Sequence, residues 1–212
     1  MAKTDNHNPK VKLDLRRYFL RKYHAEPPSV FDCCQGSAVM WTQLQKEFAV
    51  SRYWGVDLKP KKGRLKIDSV RVLQQTGWDF DVIDVDTYGA PWKHWLQILG
   101  NLRKPASVFL TIGQNKMVGG FQGAAPKEMI ESLGIPTKTP NSIAANLWQL
   151  GSRNLLAKAL QFATIVEAVE AVSTGNARYI GVRLEPINKN SLPAATTASK
   201  PKHRKADKEQ CK

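Results

Sequence analysis

Short apolar runs alternate with helical patterns through the first half of the chain, and this alternation restricts the possible folds more than any other feature. Ser29–Cys34 (SVFDCC), Tyr53–Leu58 (YWGVDL), Phe80–Val85 (FDVIDV) and Ser107–Ile112 (SVFLTI) read as buried strands, with Leu65–Asp68 as a further short one. Between them, Ala38–Phe48 carries Val39, Met40, Trp41, Leu44 and Phe48 at helical spacing, and Ser69–Gln75 is helical in tendency. Pro91 suits the first position of a helix that runs to about Leu102. Strands and helices in this order form parallel βαβ units with right-handed crossovers. Near the end, Ala163–Val172 and Arg178–Leu184 flank Thr174-Gly175-Asn176-Ala177, a hairpin turn. The expected fold is therefore α/β: a Rossmann-like, open, mostly parallel sheet with a terminal antiparallel hairpin. Ligands of such sheets lie outside the carboxyl ends of the strands, at the switch point of strand order.

The remaining segments set the domain limits. With 212 residues, 42% of them hydrophobic, the chain is long enough for one sizeable core. A single domain is expected over residues 11–187, opened by a basic helix, Lys12–Tyr23, that Glu26-Pro27-Pro28 stops. Residues 1–10 and 188–212 read as disordered, the latter as a basic tail. Gly113–Ala125 is a glycine-rich loop, and Pro126–Leu133 and Asn141–Leu160 read as helices. The amino end has no apolar signal region, and no run reaches the ~18 apolar residues of a membrane span, so a cytoplasmic protein is expected. Cys33 and Cys34 are adjacent and Cys211 lies in the tail; this is neither a disulfide framework nor a zinc spacing, and no metal is expected.

The net charge of +14 favours a polyanionic partner, and nucleic acid is the leading candidate. The surplus is uneven: residues 1–24 and residues 188–212 each hold seven Lys/Arg against two acids, which leaves a surplus of four for the middle. A purely solubilising role for the two ends is the competing reading.

Three segments place chemistry at the carboxyl ends of the strands. In Val30-Phe31-Asp32-Cys33-Cys34-Gln35-Gly36-Ser37-Ala38 a strand turns tightly into a helix; Gly36 lets the backbone approach a ligand, and Asp32 can accept from an ammonium or a hydroxyl. Asp57 ends the next strand about 20 residues on, where ribose-binding carboxylates sit. In Asp81-Val82-Ile83-Asp84-Val85-Asp86-Thr87-Tyr88-Gly89-Ala90-Pro91, Asp84 and Asp86 share one face of a strand. Like charges so placed need hydrogen bonds or a ligand. An acid beside the Tyr88 ring suits a flat group bearing an amine. Trp92 and Trp95 at helical spacing read as core, His94 as a surface residue, His24 as the end of the first helix, and Lys59–Arg64 as an exposed basic loop.

These segments resemble the conserved pieces of class I S-adenosylmethionine-dependent methyltransferases. Asp32 to Ala38 resembles the family's D-x-F/G-x-G-x-G turn, which cradles the methionine end of the cofactor. Asp57 falls on the ribose acid, and Asp68 falls near the third-strand acid that often contacts the adenine amine. Asp86-Thr87-Tyr88-Gly89 resembles the D-P-P-Y or D-P-F-G motif of enzymes that methylate exocyclic amines of bases, and Val82 to Pro91 is most similar to the segment of tRNA guanine amino-dimethyltransferases. The resemblance covers about residues 29–113. It implies S-adenosylmethionine as cofactor, held by Asp32, Gly36, Asp57, Asp68 and Asp84, with Asp86 and Tyr88 at the target amine of a DNA or RNA base. Two residues depart from it: Ala38 stands where the family has its last glycine, and Thr87 where it has proline.

Both departures favour the alternative, a catalytically inactive methyltransferase-like protein that binds nucleic acid or another partner. A nucleotide-dependent oxidoreductase is disfavoured, because G-x-G-x-x-G does not follow the first strand. A methyltransferase of proteins or small molecules would bind its substrate with little dependence on salt.

Overall fold

The computed structural model describes residues 9–60, 63–87, 90–113, 151–172 and 177–187. Six strands form one sheet in the order β2-β1-β3-β4-β6-β5. They are β1 (Ser29–Asp32), β2 (Arg52–Gly55), β3 (Val82–Val85), β4 (Ala106–Gly113), β5 (Ala163–Val172) and β6 (Ala177–Pro186). The first four are parallel, and β6 runs antiparallel between β4 and β5. The chain moves from β1 outward to β2, then returns to place β3 on the other side of β1. The switch point therefore lies between β1 and β3, where Asp32 and Asp84 are partners in register.

The alternation of side chains along the strands builds two apolar layers. Phe31, Ile83, Val85, Val108 and Leu110 face α3 (Ser69–Gln74), α4 (Trp92–Asn101) and α5 (Gly151–Ala159) through Leu73, Trp95, Ile98 and Leu155. Val30, Val82, Phe109 and Tyr179 face α1 (Pro9–Tyr23) and α2 (Val39–Leu44) through Leu13, Phe19, Leu20, Trp41 and Leu44. Trp92 and Trp95 are core residues, as expected, and their indole N–H groups donate to Asn154 Oδ1 (2.9 Å) and the Leu155 carbonyl (2.8 Å). At Gly181 the Phe19 ring lies flat on the backbone: a Cβ there would stand 2.5 Å from the ring.

Several boundaries differ from the sequence pattern. The third strand is reduced to one parallel bridge, Asp57 to Lys66, with Leu65 52% exposed and Ile67 alone of its apolar side chains packed against the core. The helix α1 begins at Pro9, inside the stretch expected to be disordered. The first two strands are shorter than their apolar runs, since the chain turns at Cys33-Cys34 and beyond Gly55. Tyr88, the loop after Gly113, the helices expected before residue 151, the turn between β5 and β6 and the basic tail lie outside the described residues.

Candidate active site

The carboxyl ends of β1, β2 and β3 bring four acids together around one side chain. The Cys34 thiol is held well above its usual range by burial and by Asp32, Asp86, Asp57 and Asp84 acting on it together. Cys33 points into the core and behaves as a small buried hydrophobe. The main chain locks this geometry past the ends of the strands: Cys33 N–H donates to Asp84 O, Val56 N–H to Asp32 O, and Gln35 N–H to Val56 O.

Each acid is neutralised differently. Asp84 accepts from Arg16 Nη2 (2.6 Å), Arg16 Nε (2.7 Å) and Trp41 Nε1 (2.8 Å). Burial alone would lower the Arg16 guanidinium, but Asp84 outweighs it and holds it above its ordinary value. Asp86 accepts from Lys12 Nζ on both oxygens (2.6 and 2.7 Å). Burial pushes the Asp86 carboxyl up, yet Lys12 and Arg16 together bring it below the usual carboxylate range. This double pairing is geometrical. Residues four apart on a helix are about 6 Å apart along its axis. Residues two apart on a strand are about 6.6 Å apart. Lys12 and Arg16 on α1 therefore match Asp86 and Asp84 on β3, with the helix running against the strand.

Among the described residues, no cation hydrogen-bonds to Asp32. It accepts from Tyr53 Oη (2.8 Å) and weakly from Cys34 N–H (3.3 Å). Burial, followed by the Asp84 charge, pushes its carboxyl up to about 8. Asp57 accepts from Gly36 N–H (2.9 Å) and Lys59 N–H (2.8 Å), one on each oxygen. A carboxylate has about four acceptor positions, so one remains on each. Asp68 caps α3 by accepting from Val70 N–H (3.0 Å).

The turn itself is strained where the resemblance fails. Gly36 has φ 51°, and Ala38 has φ 57°, the left-handed region that favours glycine. Ala38 therefore holds a backbone conformation that suits glycine, at a cost of about 1 kcal/mol. The turn is braced by Arg64 Nη2, which donates to Ser37 O (3.0 Å), and by Gln35, whose amide lies against Gly55 and donates to Tyr53 Oη (3.2 Å). Sequence reasoning missed Lys12, Arg16, Gln35 and Tyr53. The signal for the first two was available: a Lys and an Arg four apart among apolar residues on a buried helix face require buried anions.

The structure brings Asp32, Gly36, Asp57, Asp84 and Asp86 to one sheet end, with Asp68 at the head of the neighbouring α3. It withdraws Asp84 from any ligand, since both oxygens are engaged inside the core. It also turns two cations of the basic helix inward and leaves the others at the surface. Of the six cations of α1, Lys12 and Arg16 pair with the β3 acids, Arg17 with Glu47 and Asp14, and Lys22 with Glu167.

The sequence matches no protein-family model and no curated protein. Solved structures do match the fold. Trm1 from Pyrococcus horikoshii, solved with S-adenosyl-L-methionine, superposes with a TM-score of 0.58 at 15% identity over 85% of this chain. This is the class I methyltransferase fold. The chain spans only 56% of the length of that protein. The methyltransferase BamL, in complex with a triazolic desmethylPZN analog and SAH, superposes with a TM-score of 0.51 at 9% identity over 84% of each chain. The protein yhhF from Escherichia coli gives 0.51 at 12% identity, over 84% of this chain and 85% of its own.

Proposed function

We propose that this chain is an S-adenosylmethionine-dependent methyltransferase acting on an exocyclic amine of a nucleic-acid base. The observation that carries the reading is the convergence of Asp32, Asp57 and Asp86 on Cys34 at the switch point of a methyltransferase fold. The donor set suits an adenosyl sulfonium: an unpaired carboxyl for an ammonium, a carboxylate with spare acceptor positions for ribose hydroxyls, and the tight turn at Gly36. The cofactor, when bound, supplies an already activated methyl group, so the protein has chiefly to bind and align.

Asp57 takes the ribose hydroxyls and Asp68 faces the base. Asp32 takes the amino-acid end; a cation beside it replaces the proton that burial now favours, so loading releases a proton from this carboxyl. Asp86, kept anionic by Lys12, accepts from the target amine, for which Tyr88 is the candidate stacking ring; with Lys12 on both oxygens and the Thr111 hydroxyl also bonded, about one acceptor position remains. Asp84 anchors α1 rather than the cofactor. Nucleic acid as substrate is supported by the similarity around Asp86 to Gly89 and by the charge of residues 188–212.

One observation favours a second reading. Ala38 puts a methyl group on the turn that would cradle the cofactor, which suits a non-catalytic member of the fold that binds a nucleic acid or another partner. Calorimetric titration with S-adenosylmethionine separates the two. Micromolar binding followed by tritiated methyl transfer to DNA or RNA pools supports the enzyme, and no binding at millimolar concentration leaves the second reading.

A further inference from the structure

We propose that His94 is the residue that recognises the base of the adenosyl group, through its Nδ1. The inference rests on the cofactor reading above and adds to it the side chain that selects adenine. Among the described residues, two buried side-chain polar atoms have no hydrogen-bond partner: Thr87 Oγ1 and His94 Nδ1. Both belong to the segment by which the chain leaves β3 and enters α4, on the carboxyl side of the sheet. A buried polar atom left without a protein partner is a position for a water, an ion or a ligand.

His94 is built for a fixed contact. It stands in the first turn of α4, against the start of α3, and its Nε2 is 2.8 Å from Ser69 Oγ. Burial lowers its imidazole to about 4, more than the Asp68 charge raises it, so the ring is neutral at physiological pH. A neutral ring has one donor and one acceptor. When the Ser69 hydroxyl donates to Nε2, the proton sits on Nδ1, which becomes a buried donor. Asp68, adjacent to Ser69, is an acceptor with capacity left after capping α3.

A carboxylate acceptor beside an imidazole donor is complementary to an adenine edge, which presents its 6-amino donor next to a ring-nitrogen acceptor. Hypoxanthine presents a carbonyl in place of that amine and would set an oxygen against Asp68. The pair thus selects an aminopurine over its deaminated analogue.

The test is calorimetric titration of the full chain with S-adenosylhomocysteine and with S-inosylhomocysteine, in the wild type, His94→Phe and His94→Asn. The wild type should prefer the adenosyl ligand by tenfold or more. His94→Phe should weaken adenosyl binding about tenfold and narrow the preference, whereas His94→Asn, which keeps a polar atom near the Nδ1 position, should retain most of both. The His94 Nδ1 resonance of the 15N-labelled wild type should shift on adding S-adenosylhomocysteine, a readout that needs no variant. Equal affinity and equal preference in wild type and His94→Phe, or an unmoved Nδ1 resonance in saturated protein, overturns the assignment while leaving the cofactor reading intact. Failure of the wild type to bind either ligand at millimolar concentration overturns both.

Discussion

Replacing Arg16 by Met tests whether the β3 acids depend on α1. The Arg16 and Asp84 side chains are each 3% exposed, and the guanidinium meets both carboxylate oxygens at 2.6 and 2.7 Å. Arg16→Met keeps the apolar stem but leaves a buried carboxylate in register with Asp32. Breaking a buried pair from one side costs about 3–5 kcal/mol. For a chain of this length each kcal/mol moves the melting temperature by about 2–4 °C, so the variant should melt about 6–20 °C lower. Asp84→Asn removes the charge while keeping an acceptor for Trp41 Nε1. The double variant Arg16→Met/Asp84→Asn should therefore recover at least about 2 kcal/mol of what the single variant loses. Urea unfolding followed by tryptophan fluorescence measures both, and Trp41 lies at the altered site. A single variant within about 1 kcal/mol of wild type, or a double variant no more stable than the single, would refute the claim that Asp84 depends on this one cation.

Three further outcomes follow from the geometry. Ala38→Gly should be neutral to stabilising by about 0.5 kcal/mol, because relief of the left-handed strain exceeds the added chain entropy, whereas Ala157→Gly inside α5 should destabilise; urea midpoints compare them. Gly181→Ala should destabilise by about 1–3 kcal/mol through its clash with Phe19, and Phe19→Leu in the same chain should recover part of the loss in a thermal melt. The folded Asp32 carboxyl, at about 8 against an ordinary 3.8, holds a proton that the unfolded chain has lost, so its contribution to stability is present at acid pH and declines as pH rises from about 4 to about 8. Asp32→Asn should thus match wild type near pH 4 and melt higher near pH 8.5; parallel melting curves across that range would show an ionised Asp32.

The legible parts of the fold were those written in local periodicity. Runs such as SVFLTI and VIDV show their strands because every residue is buried, and the match of Asp84 with Asp86 on one face follows from the two-residue repeat. The weak third strand was overread: of Leu65–Ile67 only Ile67 packs on the core while Leu65 stays exposed, and burial is a property of neighbours. His94 reads as a surface residue beside two tryptophans, and only the packing of α3 on α4 encloses it. The partners of Lys12 and Arg16 lie 74 and 68 residues away, beyond the reach of any local pattern. That α1 was basic was plain, and the spacing of Lys12 and Arg16 called for buried anions without naming which.

Four carboxyl groups at one sheet end cannot all stay charged in a low-dielectric setting without compensation. The chain uses three means, and they differ in how readily a ligand can replace them. Asp84 and Asp86 have side-chain cations covalently tied to α1, held on its buried face. Displacing these would undock a helix whose Phe19 and Leu20 are fully buried, so no small ligand replaces them at reasonable cost. Asp57 has two backbone N–H groups and spare acceptor positions, and can add hydroxyl donors without losing either. Asp32, pushed up to about 8 by burial and the Asp84 charge, favours its protonated form, and a cation beside it would favour the charged one. A positively charged ligand rich in hydroxyls therefore has one favourable place at this sheet end, spanning Asp32 and Asp57 across the Gly36 turn. Asp86 stays charged and partly satisfied at its border, able to accept one more hydrogen bond without reorganising the site.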